Sequence, residues 1–320
     1  MPLADPTYIA QIIAQVNEVT ARCGPVLLFG ENINYGSRIG GLARGLTVNS
    51  EGVIQNVGNC ELTHLGVGLG IMLDGGQAVQ FGKQLDFIVL GLEQACDTFN
   101  FIRAYRPRSS WGSFTIFVVV CDQGYQGPQS SMNAAGDFAS LANIPVYCLN
   151  GAEDAARVVR RHFVAPGFRI LCLSQRHFAS PALQLPVEWA APDESIFRYK
   201  SGDDATVAAF NFSLRDALAM DRAFRAVGIR SDVFHVNFIP GMDLAALLDS
   251  SRRTRKLILI DDSKTVTKFG DAIVTELASS SLDVGVLSYC RRGSADNEYG
   301  ANEDRFLPDV DRALAFIRGT

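Results

Sequence analysis

The sequence predicts an α/β fold arranged as two successive domains. Three observations carry this expectation. Near-continuous apolar runs of strand length, such as "SFTIFVVVC" (113–121), suit parallel strands covered on both faces. They alternate with helical segments such as "AEDAARVVRRHF" (152–163), as an open α/β sheet requires. The alternation breaks near residue 178 and resumes after 203. At 320 residues the chain is long for one core and comfortable for two.

Taken in order, residues 5–20 read as a helix, and "GPVLLFGEN" as a strand running into a loop. "SRIGGLARGL" is a glycine-rich connector and "GVIQNVG" a short strand. Residues 61–73 form an apolar helix that Asp74-Gly75-Gly76 terminates, because glycine tolerates left-handed backbone. "QAVQFG" is a strand, and 87–103 reads as one long helix. After the strand 113–121 come the polar loop "DQGYQGPQSS", the helix "AAGDFASLA", the strand "IPVYCL", the helix 152–163 and the strand "FRILCLS". The proline-bearing stretch that follows is expected to be an interdomain linker. Then "ATVAAF", "SDVFHVNFI", "RKLILIDD" and "DVGVLSYC" are strands, with "SLRDALAMDRAFRAVG", "MDLAALLDS", "KFGDAIVTELAS" and "LPDVDRALAFIR" as helices. The expected domains are 1–185 and 204–320, joined by a linker over 186–203.

Net charge is −5, and no basic tract is interleaved with aromatics, so nucleic-acid binding is disfavoured. The N-terminus lacks the basic start and long apolar core of a signal peptide, and no segment has eighteen uninterrupted apolar residues. The expectation is a cytoplasmic protein with no membrane partner. The seven cysteines include no CxxC pair and the four histidines no ligand cluster, so no protein-only metal site is expected.

Glu61 opens the apolar helix 61–73, and two readings fit it. An acidic side chain suits a helix start electrostatically; a carboxylate can also serve as an acid or hydrogen-bonding group beside an apolar ligand. Gly66 and Gly70 share one face at i,i+4 spacing and predict a close-packed neighbour there. His64 can share the face of Glu61 or pack as an ordinary histidine. The loop after 121 offers Asp122, Gln123, Gln126, Gln129, Ser130 and Ser131 at a strand end where ligands often bind. It contains no His or Lys to activate a serine. "GSRIGGLARG" matches neither GxGxxG nor GxxxxGK[ST]. Lys264 and Lys268 in "DDSKTVTKFGD" can meet an anion or form a solvated charge cluster, and His235 lies within a strand.

The ordered motifs together resemble the beta subunit of the thiamine-diphosphate-dependent 2-oxoacid dehydrogenase E1 component, and equally the C-terminal half of transketolase. The resemblance runs over nearly the whole chain after residue 24. It is carried by "LLFGEN", "GGLARGL", "NCELTHLGVGLGIMLDGGQAVQF", "LDFIVLGLEQACD", "YKSGDDATVAAFNFSLRDAL" and "RKLILIDDSKTVTKFGDAIVTEL", in the family's order. It implies a thiamine-diphosphate pyrimidine-binding domain with a parallel sheet, followed by a transketolase C-terminal-type α/β domain.

The resemblance also implies roles. Glu61 stands where the family's glutamate contacts N1′ of the cofactor's aminopyrimidine and promotes the imino tautomer that takes the proton from thiazolium C2. The aromatic region corresponds to Leu85-Asp86-Phe87; Phe87, or alternatively Phe81, would border the pyrimidine, with Glu31 near the same pocket. No GDG magnesium motif is present. Diphosphate and Mg2+ contacts would therefore come from a separate alpha-like subunit, in an α2β2 heterotetramer.

One departure stands out. The family places a histidine in the loop represented here by "GYQGPQSSMN", whereas this chain has no histidine between 65 and 161. Asp122, Gln123, Gln129, Ser130 and His64 remain as candidates around the substrate. The implied function is a specialised transketolase-like carboligation, moving a two-carbon unit from a ketose or 2-oxoacid to a small carbonyl acceptor. The alternatives are an E1 beta subunit and a non-catalytic beta-like subunit.

Overall fold

The computed structural model describes residues 6–123, 131–279, 283–291, 306 and 308–319. Two compact units are present. One comprises Met1–Cys121 with Asp137–Gln184, the other Asp122–Gly136 with Leu185–Thr320.

In the first unit, helix α1 (Tyr8–Thr20) leads into strand β1 (Val26–Gly30), then β2 (Val53–Asn56), α2 (Glu61–Leu73) and β3 (Gln77–Gly82). A broken helical stretch follows: α3 (Leu85–Ile88), a 3₁₀ turn, a π turn and α4 (Phe99–Tyr105). Then come β4 (Ser113–Val120), α5 (Ala135–Ala142), β5 (Val146–Leu149), α6 (Ala152–His162) and β6 (Gly167–Ser174). The six strands form one sheet in the order β2-β1-β3-β4-β6-β5, and every pairing is parallel. Every residue of β4 is buried, as its apolar run predicts for a central strand covered on both faces.

The single helix expected over 87–103 is instead interrupted. The observed stretch passes through α, 3₁₀ and π geometry in turn, departures that short 3₁₀ pieces and single π turns commonly mark inside helices.

Buried polar contacts hold the unit's edges. Tyr8 Oη donates to the Leu149 carbonyl at 2.5 Å and accepts from Ser174 N at 3.1 Å. Arg169 is buried and donates to Thr115 Oγ1 and to the His162 and Pro166 carbonyls. Burial pulls its pKa down to about 10, which leaves it charged at neutral pH.

The second unit contains β7 (Trp189–Ala190), β8 (Ile196–Lys200), β9 (Ala205–Phe210), α7 (Leu214–Ala226), β10 (Ser231–Val236), α8 (Ala245–Thr254), β11 (Lys256–Asp261), α9 (Gly270–Ser279), β12 (Gly285–Cys290) and α10 (Val310–Arg318). Its sheet order is β12-β11-β9-β10-β8-β7. The first four strands are parallel, and β8 and β7 add antiparallel. The linker expected over 186–203 therefore contains two strands of this sheet. Its prolines at 186 and 192 lie outside those strands. Phe197 and Tyr199 are buried, so "IFRYK" is part of the core.

Candidate active site

The chain builds β1, adds β2 on one side, then crosses to place β3 on the other. That reversal opens a crevice at the carboxyl ends of the strands, where doubly wound sheets bind ligands. Gly30 closes β1 at this point. A Cβ there would lie 2.5 Å from the Phe81 carbonyl oxygen, so glycine lets β1 and β3 run this close.

A cleft of about 210 Å³ occupies the crevice. The turn after β1 gives it Glu31, Asn32, Ser37 and Ile39. The start of α2 gives Asn59, Glu61 and His64. The end of β3 and the following turn give Gln80, Phe81, Gly82, Lys83, Phe87 and Ile88. Glu61, Glu31, Phe81, Phe87 and His64, five of the residues singled out from sequence, thus share one cavity.

Their settings differ. Glu61 is half-buried in the first turn of α2, whose N-cap residue, Cys60, makes no side-chain capping bond. Glu31 is exposed and accepts from Asn32 Nδ2 at 3.1 Å. The Phe81 ring is buried 5.0 Å from that of Phe117. His64 is buried and meets Phe29 edge-on, with centroids 6.0 Å apart, so it is both a packed histidine and a cleft residue. Leu85 is fully buried at the start of α3 and is not among the residues lining the cleft.

Gln80 is the residue that sequence reasoning missed. It is 2% exposed, and its Oε1 has no hydrogen-bond partner. Leaving such a group unpaired costs about 1–3 kcal/mol, so this oxygen can accept a hydrogen bond from a donor placed in the cleft. The signal available in "QAVQFG" was a glutamine inside an otherwise buried strand.

The expected substrate-loop residues divide. Asp122 is buried, and its carbonyl accepts from Arg291 Nη2 at 3.2 Å within the second unit. Gln123 is half-buried. Gln129 and Ser130 lie outside the described residues. Both lysine ammonium groups are half-buried and donate to backbone carbonyls, Lys264 to Ser131 and Lys268 to Ser263, each at 2.8 Å. His235 is fully buried and stacked on Phe197, and burial pushes its pKa down to about 4. Among the described residues no three His, Cys, Asp or Glu groups are placed to hold a metal ion. No described helix is long and apolar enough to cross a membrane.

The first unit thus has a parallel sheet with a cleft at its switch point, and a second α/β unit follows in the chain. Comparison with known proteins bears on the resemblance directly. A solved structure described as a split gene transketolase, inactive β4 tetramer, superposes with a TM-score of 0.67 over 98% of both chains, at 14% identity. That likeness shows the fold. The pyruvate dehydrogenase E1 component subunit beta of Rhizobium meliloti (strain 1021) is 23% identical over 124 residues, which is 38% of this chain and 27% of that subunit's length. No family model matches the chain.

Proposed function

We propose that this chain is the pyrimidine-binding, beta-like subunit of a heteromeric thiamine-diphosphate enzyme of transketolase type. The observation that carries the proposal is the placement of Glu61 and the unpartnered Gln80 Oε1 in one switch-point cleft bordered by Phe81 and Phe87. The donor set suits an aminopyrimidine. A carboxylate can hydrogen-bond a ring nitrogen, an amide can pair with a second ring nitrogen or the exocyclic amine, and phenyl rings can border the flat face. When bound, thiamine diphosphate supplies a nucleophilic carbon and an electron sink for bond cleavage next to a carbonyl.

The chain's own share is to hold that ring and handle its proton. Glu61 hydrogen-bonds the ring nitrogen and governs the proton there. The apolar wall of Ile39, Phe81 and Ile88 strengthens that contact by excluding water. Gln80 fixes the ring's orientation. Diphosphate and Mg2+ are assigned to an alpha-like partner in an α2β2 assembly. The fold neighbour supports a split arrangement, since it is a split-gene chain described as inactive when assembled from beta chains alone. By the same logic this chain is inactive without its partner.

The transferred group on this reading is a two-carbon unit from a ketose or 2-oxoacid, passed to a small carbonyl acceptor by carboligation. The absence of histidine between 65 and 161 marks a specialised substrate pocket. The similarity to a pyruvate dehydrogenase subunit favours a second reading, E1-type oxidative decarboxylation. The test is to reconstitute the chain with the product of the neighbouring reading frame, then titrate thiamine diphosphate and Mg2+ by calorimetry. The pair is next given a 2-oxoacid with an artificial electron acceptor, and separately with aldehydes. Carboligation supports the transferase; reduction of the acceptor without carboligation selects the E1 reading. Cofactor binding that is the same with Glu61→Ala and wild type would discard both.

A further inference from the structure

The broken helical stretch of the first unit ends in a surface feature that the cleft does not use. On α4, Phe101 and Tyr105 are 67% and 78% exposed. Their i,i+4 spacing puts them on one helix face, where the rings stack with centroids 6.2 Å apart and planes at 20°. Single exposed apolar side chains are ordinary on a protein surface. Two large rings stacked on one another in water form a patch that is ordered before any partner arrives.

The opposite side of α4 is anchored. Phe99 and Ile102 are buried, with Phe99 against Trp111 at 5.7 Å and Phe168 at 5.2 Å. Arg103 lies 5.2 Å over the Phe99 ring and donates to the Asn143 carbonyl at 2.9 Å. That bond ties α4 to the end of α5, where Leu141 is also exposed. The aromatic pair is thus the outward face of a helix whose inward face is already occupied.

Charges of opposite sign flank the rings. Asp97, exposed, stands one turn before Phe101. Arg106 and Arg108, both exposed, follow Tyr105, and no acidic residue occurs between 98 and 112. The Arg108 guanidinium lies 6.0 Å over the Trp111 ring. Among the described residues, none of these three charges has an ion-pair partner within the chain. From Asp97 to Arg106 the stripe is about 13 Å long at helical rise.

A stripe that reads acidic, aromatic, basic is complementary to itself run backwards. We propose that this face is the contact between two copies of this chain, paired antiparallel about a two-fold axis at the Phe101–Tyr105 patch. The two aromatic pairs meet at the axis, and the aspartate of each copy faces the two arginines of the other. A two-fold contact uses the same patch twice, so one stripe supplies both halves. A parallel pairing would set like charges opposite one another. Aromatic residues and arginine are also the side chains that dominate interface energetics. The proposal stands on this face alone and does not depend on the function assigned to the cleft.

Sedimentation velocity on the full chain, across a wide concentration range, tests it. Asp97→Lys and the double variant Arg106→Glu/Arg108→Glu should each raise the dissociation constant at least about tenfold. Phe101→Ser/Tyr105→Ser should raise it at least about a hundredfold. All these positions are exposed, so circular-dichroism melts should match wild type. An equimolar mixture of the two charge variants should recover association to within about threefold of wild type, because the new lysine then faces the new glutamates. A folding defect in one chain is not repaired by a second defective chain, so recovery is specific to the contact. A wild-type chain that sediments as a monomer, or an oligomer that no variant weakens, overturns the proposal. So does a mixture that stays dissociated. Variants that self-associate like wild type yet no longer bind an alpha-like subunit give the face to that partner and overturn it too.

Discussion

Glu61 and Gln80 line one cleft, but the sequence speaks of them very differently. Glu61 is visible because a lone carboxylate begins an apolar helix; Gln80 hides inside a strand, and only its unpaired Oε1 reveals it. Their substitutions should separate accordingly. On the function proposed above, Glu61→Gln keeps the shape and removes the carboxylate assigned to the proton, so turnover of the reconstituted complex should fall about 10²–10⁴-fold while thermal stability stays level. Gln80→Met should do the opposite to the free chain. Removing a buried orphan amide should stabilise it by about 1–2 kcal/mol, raising Tm by about 2–4 °C, while cofactor affinity drops. A Gln80→Met chain with lowered Tm would show that the amide is satisfied in solution.

His235 makes a prediction about pH. Its ordinary pKa of 6.5 falls to about 4 in the fold because burial penalises the charged ring. Between these values the unfolded chain binds a proton that the folded chain refuses. Stability therefore falls as pH is lowered through that window, by on the order of 3 kcal/mol in total. Urea denaturation at pH 7 and pH 4.5 should show a smaller acid loss for His235→Phe than for wild type. Equal losses would contradict the assignment.

At the scale of the element, helix α2 reverses one expectation. The spacing of Gly66 and Gly70 suggests a close-packed face, yet a Cβ on Gly70 would meet nothing within 4 Å, and one on Gly66 only Gln94 at 3.9 Å. The packed glycine is Gly68, where a Cβ would fall 2.1 Å from the Phe114 ring. Gly68→Ala should cost about 1–3 kcal/mol through overpacking. Gly70→Ala should gain about 0.5–1 kcal/mol through helix propensity. Paired thermal melts check this, and equal destabilisation would contradict the assignment of faces. The three glycines look alike in sequence because the helix is apolar all round, leaving no polar face to mark which side turns inward.

At the scale of the whole molecule, the expected first domain, 1–185, ends where the contact units divide, at Gln184 and Leu185, while the expected linker holds strands. Alternating apolar and amphipathic runs announce two sheets. The prolines over 181–192 read as a linker, although "IFRYK" pairs with β10. Short edge strands carry too little pattern to outweigh proline, and their partners lie far along the chain. The segment Asp122–Gly136 likewise belongs by contacts to the second unit while lying in the sequence of the first.

What the sequence determined by itself is what depends on near neighbours. Strand and helix order, the stop at Asp74-Gly75-Gly76 and the isolated acid at 61 are all local patterns. Leading with Glu61, they suffice for the likeness to a transketolase-like beta chain. Only the tertiary structure decided which residues meet. Gly30, Glu61 and Gln80 converge because β3 returns beside β1, and Asn133 joins Asn211, 78 residues away, because the second sheet reverses its strand order. The physical reason is common to both cases. Hydrophobic periodicity encodes which face of an element is buried, whereas the partner across that face is set by topology and by the pairing of buried polar groups.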